Sequence, residues 1–166
     1  MTQTIKVALA GAGAHVVAVA RTKGALEELD DEITALGGSA TLVPLNLVHG
    51  DMRLANLLID NGAVKVIDFD DCGFSWLMYD CATTVSFFEH EPGVPELLDA
   101  WVRGYRRITD LPADDAAEIP TFVMLRRLLL VAWIGSHAET DLAQSMGVRY
   151  TSETTGLCEA YLGRFG

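Results

Sequence analysis

His49-Gly50-Asp51-Met52-Arg53-Leu54-Ala55-Asn56, followed by Ile67-Asp68-Phe69-Asp70, is the stretch from which the rest of this 166-residue chain is read. Between its halves lie Leu57-Leu58-Ile59, Asp60-Asn61-Gly62 and Val64-Lys65-Val66. An Asn-Gly pair between two β-branched runs supplies the positive φ angles of a tight hairpin turn. The first half is therefore expected as a loop that enters a hairpin, with Asp51 at the end of an apolar strand. Asp68 ends the second hairpin strand.

Working outward, the segment after Trp76 turns helical. Helices are expected near 77–90, 94–108, 114–136 and 152–163. Pro92, Pro95, Pro112 and Pro120 punctuate them, and Pro120 marks the start of a long apolar helix after a short one. Trp101, Trp133 and Phe87-Phe88 read as core rather than as a substrate cage. Upstream, Ile5 to Gly11 has helix-like composition. His15 to Ala20 is an apolar, β-branched run that suits a strand covered on both faces. Thr22 reads as the N-cap of a helix in which Leu26, Leu29, Ile33 and Leu36 recur at helical spacing, and Gly37-Gly38 stops it. Ala40 to Val48 is extended, interrupted by Pro44. Residues 1–46 thus read as helix end, strand, helix, strand.

Half of the chain is apolar, enough for a buried core, and the formal net charge is -11. A strongly acidic chain lacks the basic footprint of nucleic-acid binding. It suits a cationic substrate or a metal. Three cysteines, Cys72, Cys81 and Cys158, give an odd count with no paired spacing, so a reducing cytoplasm is expected rather than a disulfide framework. Leu128 to Gly135, after Arg126-Arg127, is too short to span a bilayer and reads as a buried helix. Ile5 to Ala20 mimics a signal peptide, but His15 interrupts it, and no membrane role is expected.

Phosphoryl transfer needs a base for the attacking hydroxyl, divalent metal to offset phosphate charge, and geometry. Asp51 is placed to be the base. Asn56, five residues on, can return its side-chain oxygen to a metal, and Asp68 can ligate the same ion. Protein kinases use an Asp-x4-Asn loop and a later metal-binding Asp in this order. Taken singly, Asp68, Asp70 and Asp71 also read as turn residues and Asn56 as a loop cap. That reading leaves their order and spacing unexplained. His49 is either catalytic or a core histidine that fixes the loop. The second is preferred, because Asp-x4-Asn chemistry leaves it no proton to move.

His-Gly-Asp-x4-Asn followed by Ile-Asp-Phe-Asp resembles the aminoglycoside phosphotransferase superfamily, which includes choline and homoserine kinase-like enzymes. Gly73-Phe74-Ser75-Trp76-Leu77-Met78-Tyr79-Asp80-Cys81-Ala82 resembles that family's Gly…Tyr-Asp-Leu-Ala segment. Trp101 to Arg106 and Leu125-Arg126-Arg127-Leu128 resemble its C-terminal helices. The resemblance covers about residues 47–166 and implies a kinase-like C-terminal lobe. It implies Asp51 as base, Arg53 near the transferred phosphate, Asn56 and Asp68 as metal ligands, and Asp80 bracing the loop, with His49 as structural support. The implied cofactors are Mg²⁺ and ATP, and the implied acceptor is a small hydroxyl compound.

Such kinases carry an N-terminal lobe with a phosphate loop, a strand lysine and a helix glutamate. None of Lys6, Lys23 and Lys65 stands in a Val-Ala-Ile-Lys-like strand, so the ATP-gripping lobe is expected to be missing here. Ala8 to Thr22 instead resembles the first helix end and second strand of the short-chain dehydrogenase/reductase family, and the next helix and strand follow to Asn46. In that family an Arg at the position of Arg21 meets the 2′-phosphate of NADP. The Gly-rich turn and the Tyr-x3-Lys pair are absent, so NADP binding is not expected.

The expected fold class is α/β. A short N-terminal β-α-β unit, residues 1–46, joins a kinase-like lobe, residues 47–166, with a β-hairpin and about four helices. Three readings follow: a phosphotransferase, weak or inactive as this chain; a folded chimera without catalysis; and an NADP-dependent reductase. Exposed strand edges and long apolar helices also lead us to expect a homodimer.

Overall fold

The computed structural model describes residues 3–166 and is mixed α/β, with three two-stranded sheets and seven α-helices among the described residues. It divides into two compact units: residues 1–48 with 74–77, and residues 49–73 with 78–166.

In the first unit α1 (Gln3–Gly11) precedes β1 (Val16–Ala20), α2 (Lys23–Ala35), β2 (Ala40–Pro44) and β3 (Asn46–Val48). β1 and β2 are parallel, with Val16 opposite Ala40 and Ala20 opposite Pro44. Helix α2 is the crossover that a parallel pair requires. Ala10, Val16, Ala18, Leu26, Leu29 and Ile33 form its core. Gly37, at φ +75, ends α2 as a left-handed C-terminal glycine. Thr22 is the N-cap residue by position, but its side chain makes no capping bond. The expectation that β1 is covered on both faces is corrected. Its residues alternate, with Val17 59% and Val19 40% exposed. Both helices pack on the face that carries Val16 and Ala18, and two strands provide no second layer. The short strand β3 pairs with β6 (Gly73–Ser75), which the sequence pattern did not signal.

In the second unit the hairpin is β4 (Leu57–Asp60) and β5 (Ala63–Val66), antiparallel, with Leu57 opposite Val66. Asn61 and Gly62 both have positive φ, as the Asn-Gly signal requires. The helices are α3 (Leu77–Thr83), α4 (Val94–Arg106), α5 (Ala113–Ala117), α6 (Ile119–Ser136) and α7 (Asp141–Phe165). Five helices stand where about four were expected. The break before Pro120 divides α5 from α6, with Pro120 in the first turn, where its missing N–H costs nothing. Helix α3 stops at Thr83, well short of residue 90. Helix α7 begins at residue 141 rather than 152. Thr140 caps it by accepting the Ala143 amide at 3.2 Å, and Gly147 kinks it. Leu130, Ile134, Ala143 and Tyr150 bury the α6–α7 contact.

Helix α6 corrects the sequence reading of a short apolar stretch. It is long and apolar enough, by length and composition alone, to cross a membrane. Its mid-helix Arg127 is fully buried and ion-paired within the unit, and one face of α6 packs along α7, while Leu128 and Leu129 are exposed.

Candidate active site

The loop from His49 to Asn56 is held from the opposite strand and from α3. Asp80, in the first turn of α3, accepts the His49 amide at 2.8 Å with one carboxylate oxygen and the Gly50 amide at 2.8 Å with the other. Thr83 accepts the Met52 amide at 2.9 Å. His49 is 6% exposed, and both of its ring nitrogens are committed. Nε2 donates to the Ile67 carbonyl at 3.0 Å, and Nδ1 accepts the Asp51 amide at 3.3 Å. Its ring lies 4.7 Å from that of Phe69. Gly50, at φ +84, passes so close to the Asp71 carbonyl that a Cβ there would stand 2.5 Å from its oxygen. Beside Asp80, burial and then the Asp80 charge push the Cys81 thiol up to about 12, so it is a neutral filler of the core.

Asp51 is the centre of this arrangement. Its Oδ2 accepts from Arg53 Nε at 3.0 Å and from Asn56 Nδ2 at 3.1 Å. The same Asn56 nitrogen donates to the Asp51 carbonyl at 2.8 Å. Asp51 Oδ1 accepts from Arg126 Nη2. Arg126 also donates to Ser86 Oγ at 3.0 Å and to the Tyr79 hydroxyl at 3.2 Å. Asp51, Arg53, Asp71, Phe87, Arg126 and Trp133 line a cavity of 290 Å³. A larger cavity, 760 Å³, opens among α4, α5, α6 and α7 between apolar chains such as Leu98, Val102 and Val123. No residue of the 49–56 loop lines it, so the smaller cavity is the one that meets the chemistry.

The structure thus brings together Asp51, Arg53 and Asn56, with His49 and Asp80 behind them. Asp68 stands outside this hydrogen-bonded group. It is exposed, takes a left-handed φ of +65 and carries no ion pair among the described residues. The hairpin still holds it nearby. The Ile67 amide donates to the Asn56 carbonyl at 3.0 Å, which continues the β4–β5 ladder one step and leaves Asp68 as the next residue. Among the described residues no three His, Cys, Asp or Glu side chains form a metal cluster. The donor set that remains is two oxygens. With both amide protons of Asn56 turned to Asp51, its Oδ1 is the free end of the group, and Asp68 adds a carboxylate. Hard oxygen donors of this kind fit Mg²⁺ or Ca²⁺ and leave further positions for water and phosphate.

One participant, Arg126, escapes the sequence reading, which places it only within a helix. Trp133 and Phe87 pack, partly buried, against the α6–α7 core as the sequence suggests, and both also stand in the cavity wall. The available signal was Arg126-Arg127 within an apolar run, since charges there need partners. In the first unit, Arg21 places its guanidinium 4.9 Å from the centre of the Phe74 ring.

The model of a family described as "Phosphotransferase enzyme family" matches residues 7–117, which takes in the N-terminal unit as well as the loop. Amicoumacin kinase of Bacillus subtilis (strain 168) is 29% identical over 93 residues, 51% of this chain and 28% of that protein. Among solved structures, a microcompartment-associated aminopropanol kinase is 48% identical, with a TM-score of 0.66 over 72% of this chain and 38% of that one. The amicoumacin kinase hAmiN, in complex with AMP-PNP, Ca²⁺ and Ami, is 26% identical, with a TM-score of 0.53 over 68% of this chain and 36% of that one. The chain spans well under half the length of each of these relatives.

Proposed function

Because this chain belongs to the phosphotransferase enzyme family, we propose that its second unit is the acceptor-side half of a kinase that moves the ATP γ-phosphate to the hydroxyl of a small molecule. The observation that carries this reading is Asp51. Its carboxylate is fixed on both oxygens at the wall of a cavity and stands five residues before an Asn turned toward it. Asp51 would orient the acceptor hydroxyl and take its proton. Arg53, ion-paired to Asp51 and one-third exposed, would swing to the transferred phosphate. Asn56 and Asp68 would hold Mg²⁺, which offsets the charge of ATP when bound. His49 and Asp80 would keep the loop in register. The aminopropanol kinase resemblance, with Asp71, Phe87 and Trp133 on the cavity wall, supports an amino alcohol as acceptor. A cation there would meet the Asp71 carboxylate beside two aromatic side chains, with Arg53 and Arg126 held on Asp51 at the same wall.

Calorimetry tests the site. The 166-residue chain should bind Mg²⁺ with AMP-PNP, and Asp68→Asn should weaken that binding at least about tenfold, as expected when a hard-cation site loses a carboxylate. Equal binding by the variant sinks the metal assignment. No Val-Ala-Ile-Lys-like strand is present in this sequence, so turnover of ATP with aminopropanol should stay below about 1 s⁻¹, the low end for kinases. A rate at or above that value removes the expectation of a weak enzyme.

The second reading, a folded chimera without catalysis, is favoured by one feature. The parallel β1–α2–β2 unit has the local architecture of a dehydrogenase half-unit, although NADP has no phosphate-binding turn to meet. Free cysteines support a cytoplasmic location. The exposed apolar chains of the hairpin, Leu58, Ile59 and Val64, support the homodimer, which light scattering at micromolar concentration would refute by returning a monomer mass. Neither membrane nor nucleic acid is among the proposed partners.

A further inference from the structure

Two consecutive arginines on α6 leave the helix about 100° apart. Arg126 reaches Asp51, Tyr79 and Ser86. Arg127 turns into the core and is fully buried with its partner Glu89. Its Nη1 donates to Glu89 Oε2 at 2.8 Å, its Nε to Thr154 Oγ1 at 2.8 Å and its Nη2 to the Tyr150 carbonyl at 2.6 Å. The guanidinium lies 3.3 Å from the centre of the Tyr150 ring. The other Glu89 oxygen, Oε1, accepts from the Tyr150 hydroxyl at 2.9 Å and from the Phe87 amide at 3.2 Å. Burial and the Glu89 charge push the Tyr150 phenol well above its usual range, so it remains a donor to Glu89.

The segment from Ser86 to Glu89 is thus gripped at both ends by adjacent residues of one helix. Between the grips, Phe87 has φ +78, a left-handed conformation that a phenylalanine holds only where its surroundings over-determine it. Its ring is in the wall of the cavity that Asp51 also lines. Stability alone does not call for such a network, because well-packed apolar residues usually serve a core as well as a buried ion pair.

We propose that Arg126 and Arg127 act as one clamp on the 86–89 segment, in which Arg127 is a positioning residue. Through Glu89 it holds Phe87 at the cavity wall, and through their shared helix it fixes Arg126 on Asp51. The functional meaning rests on the phosphotransferase reading above, whereas the clamp itself is read without any ligand.

The test uses ¹H–¹⁵N spectra of the arginine Nε–H groups in the full 166-residue chain, with Arg126 and Arg127 assigned through Arg126→Lys and Arg127→Lys. In the unmodified chain the two Nε–H groups should exchange with solvent at rates within about threefold of each other, because one opening releases both. Rates that differ by more than about threefold mean independent openings and overturn the clamp. The double variant Glu89→Leu with Arg127→Met leaves no unpaired charge. When it melts cooperatively, loss of protection at Arg126 Nε supports the proposal, since a purely stabilising network would leave that signal unchanged. A protected, unshifted Arg126 signal in the folded double variant overturns it. Should the double variant not fold, the exchange rates in the unmodified chain decide. The turnover and calorimetric assays read the phosphotransferase assignment separately, and their failure leaves these spectra intact.

Discussion

Arg127→Met is expected to destabilise the second unit by about 3–5 kcal/mol, the cost of leaving one member of a buried ion pair alone. The reason is Glu89. Its carboxylate is fully buried, and without Arg127 it keeps only the Tyr150 hydroxyl and the Phe87 amide as donors. Two neutral hydrogen bonds do not replace a cation for a charge removed from water. Small domains have about 5–15 kcal/mol of stability in total, so the loss takes about a fifth of it or more. Urea unfolding followed by tryptophan fluorescence measures it. A midpoint unchanged from the parent chain would mean that the buried pair contributes nothing, and would remove the premise of the clamp as well.

Gly50→Ala should be the most damaging single methyl in the chain. A Cβ at Gly50 would stand 2.5 Å from the Asp71 carbonyl oxygen and 3.2 Å from its carbon, and both are backbone atoms that cannot swing aside. The left-handed φ adds a conformational cost of about 1–2 kcal/mol. Relief requires the 49–56 loop to move, which lengthens the two bonds to Asp80, each worth about 1.5–3 kcal/mol as a bond to a charged group. The matched control is Gly62→Ala in the hairpin turn. That glycine also has positive φ, but nothing lies within 4 Å of its added Cβ. Gly62→Ala should therefore show only the conformational cost, and Gly50→Ala at least about 2 kcal/mol more by chemical denaturation. Equal losses for the two variants would show that the loop tolerates the displacement.

What the sequence disclosed and what it withheld divide along contact range. The Asn61-Gly62 turn, the hairpin around it and the stop of α2 at Gly37 are local, and each is written in a few adjacent residues. The pairing of Asp51 with Asn56 is nearly as local and was legible in spacing, whereas Arg53 entered only through the family resemblance and Asp68, grouped with them by spacing, stands outside their hydrogen bonds. The Asp51–Arg126 contact spans 75 residues, and nothing near either residue announces the other. Strand β6 is three residues long, too short for alternation to register. Helix α7 begins earlier than expected because Thr140 caps it, and the non-helical Gly147 breaks its first turns from the rest. Trp133 and Phe87 pack on the α6–α7 core as their composition suggests, but their second place, in the cavity wall, was not legible. An apolar aromatic side chain reads the same in sequence whether it only closes a core or also lines a cavity.

The 75 residues between Asp51 and Arg126 also set a timetable for synthesis. At roughly 5–20 residues per second, Arg126 is added about 4–15 s after Asp51. The hairpin needs only microseconds to close. During that interval the nascent chain carries a formed turn and loop whose central carboxylate faces water, without the guanidinium that later pairs with it. The Asp80 grip, 30 residues after Gly50, arrives in between. The loop is therefore assembled in the order turn, grip, clamp, and its last step waits on the ribosome rather than on the chain's own folding rate.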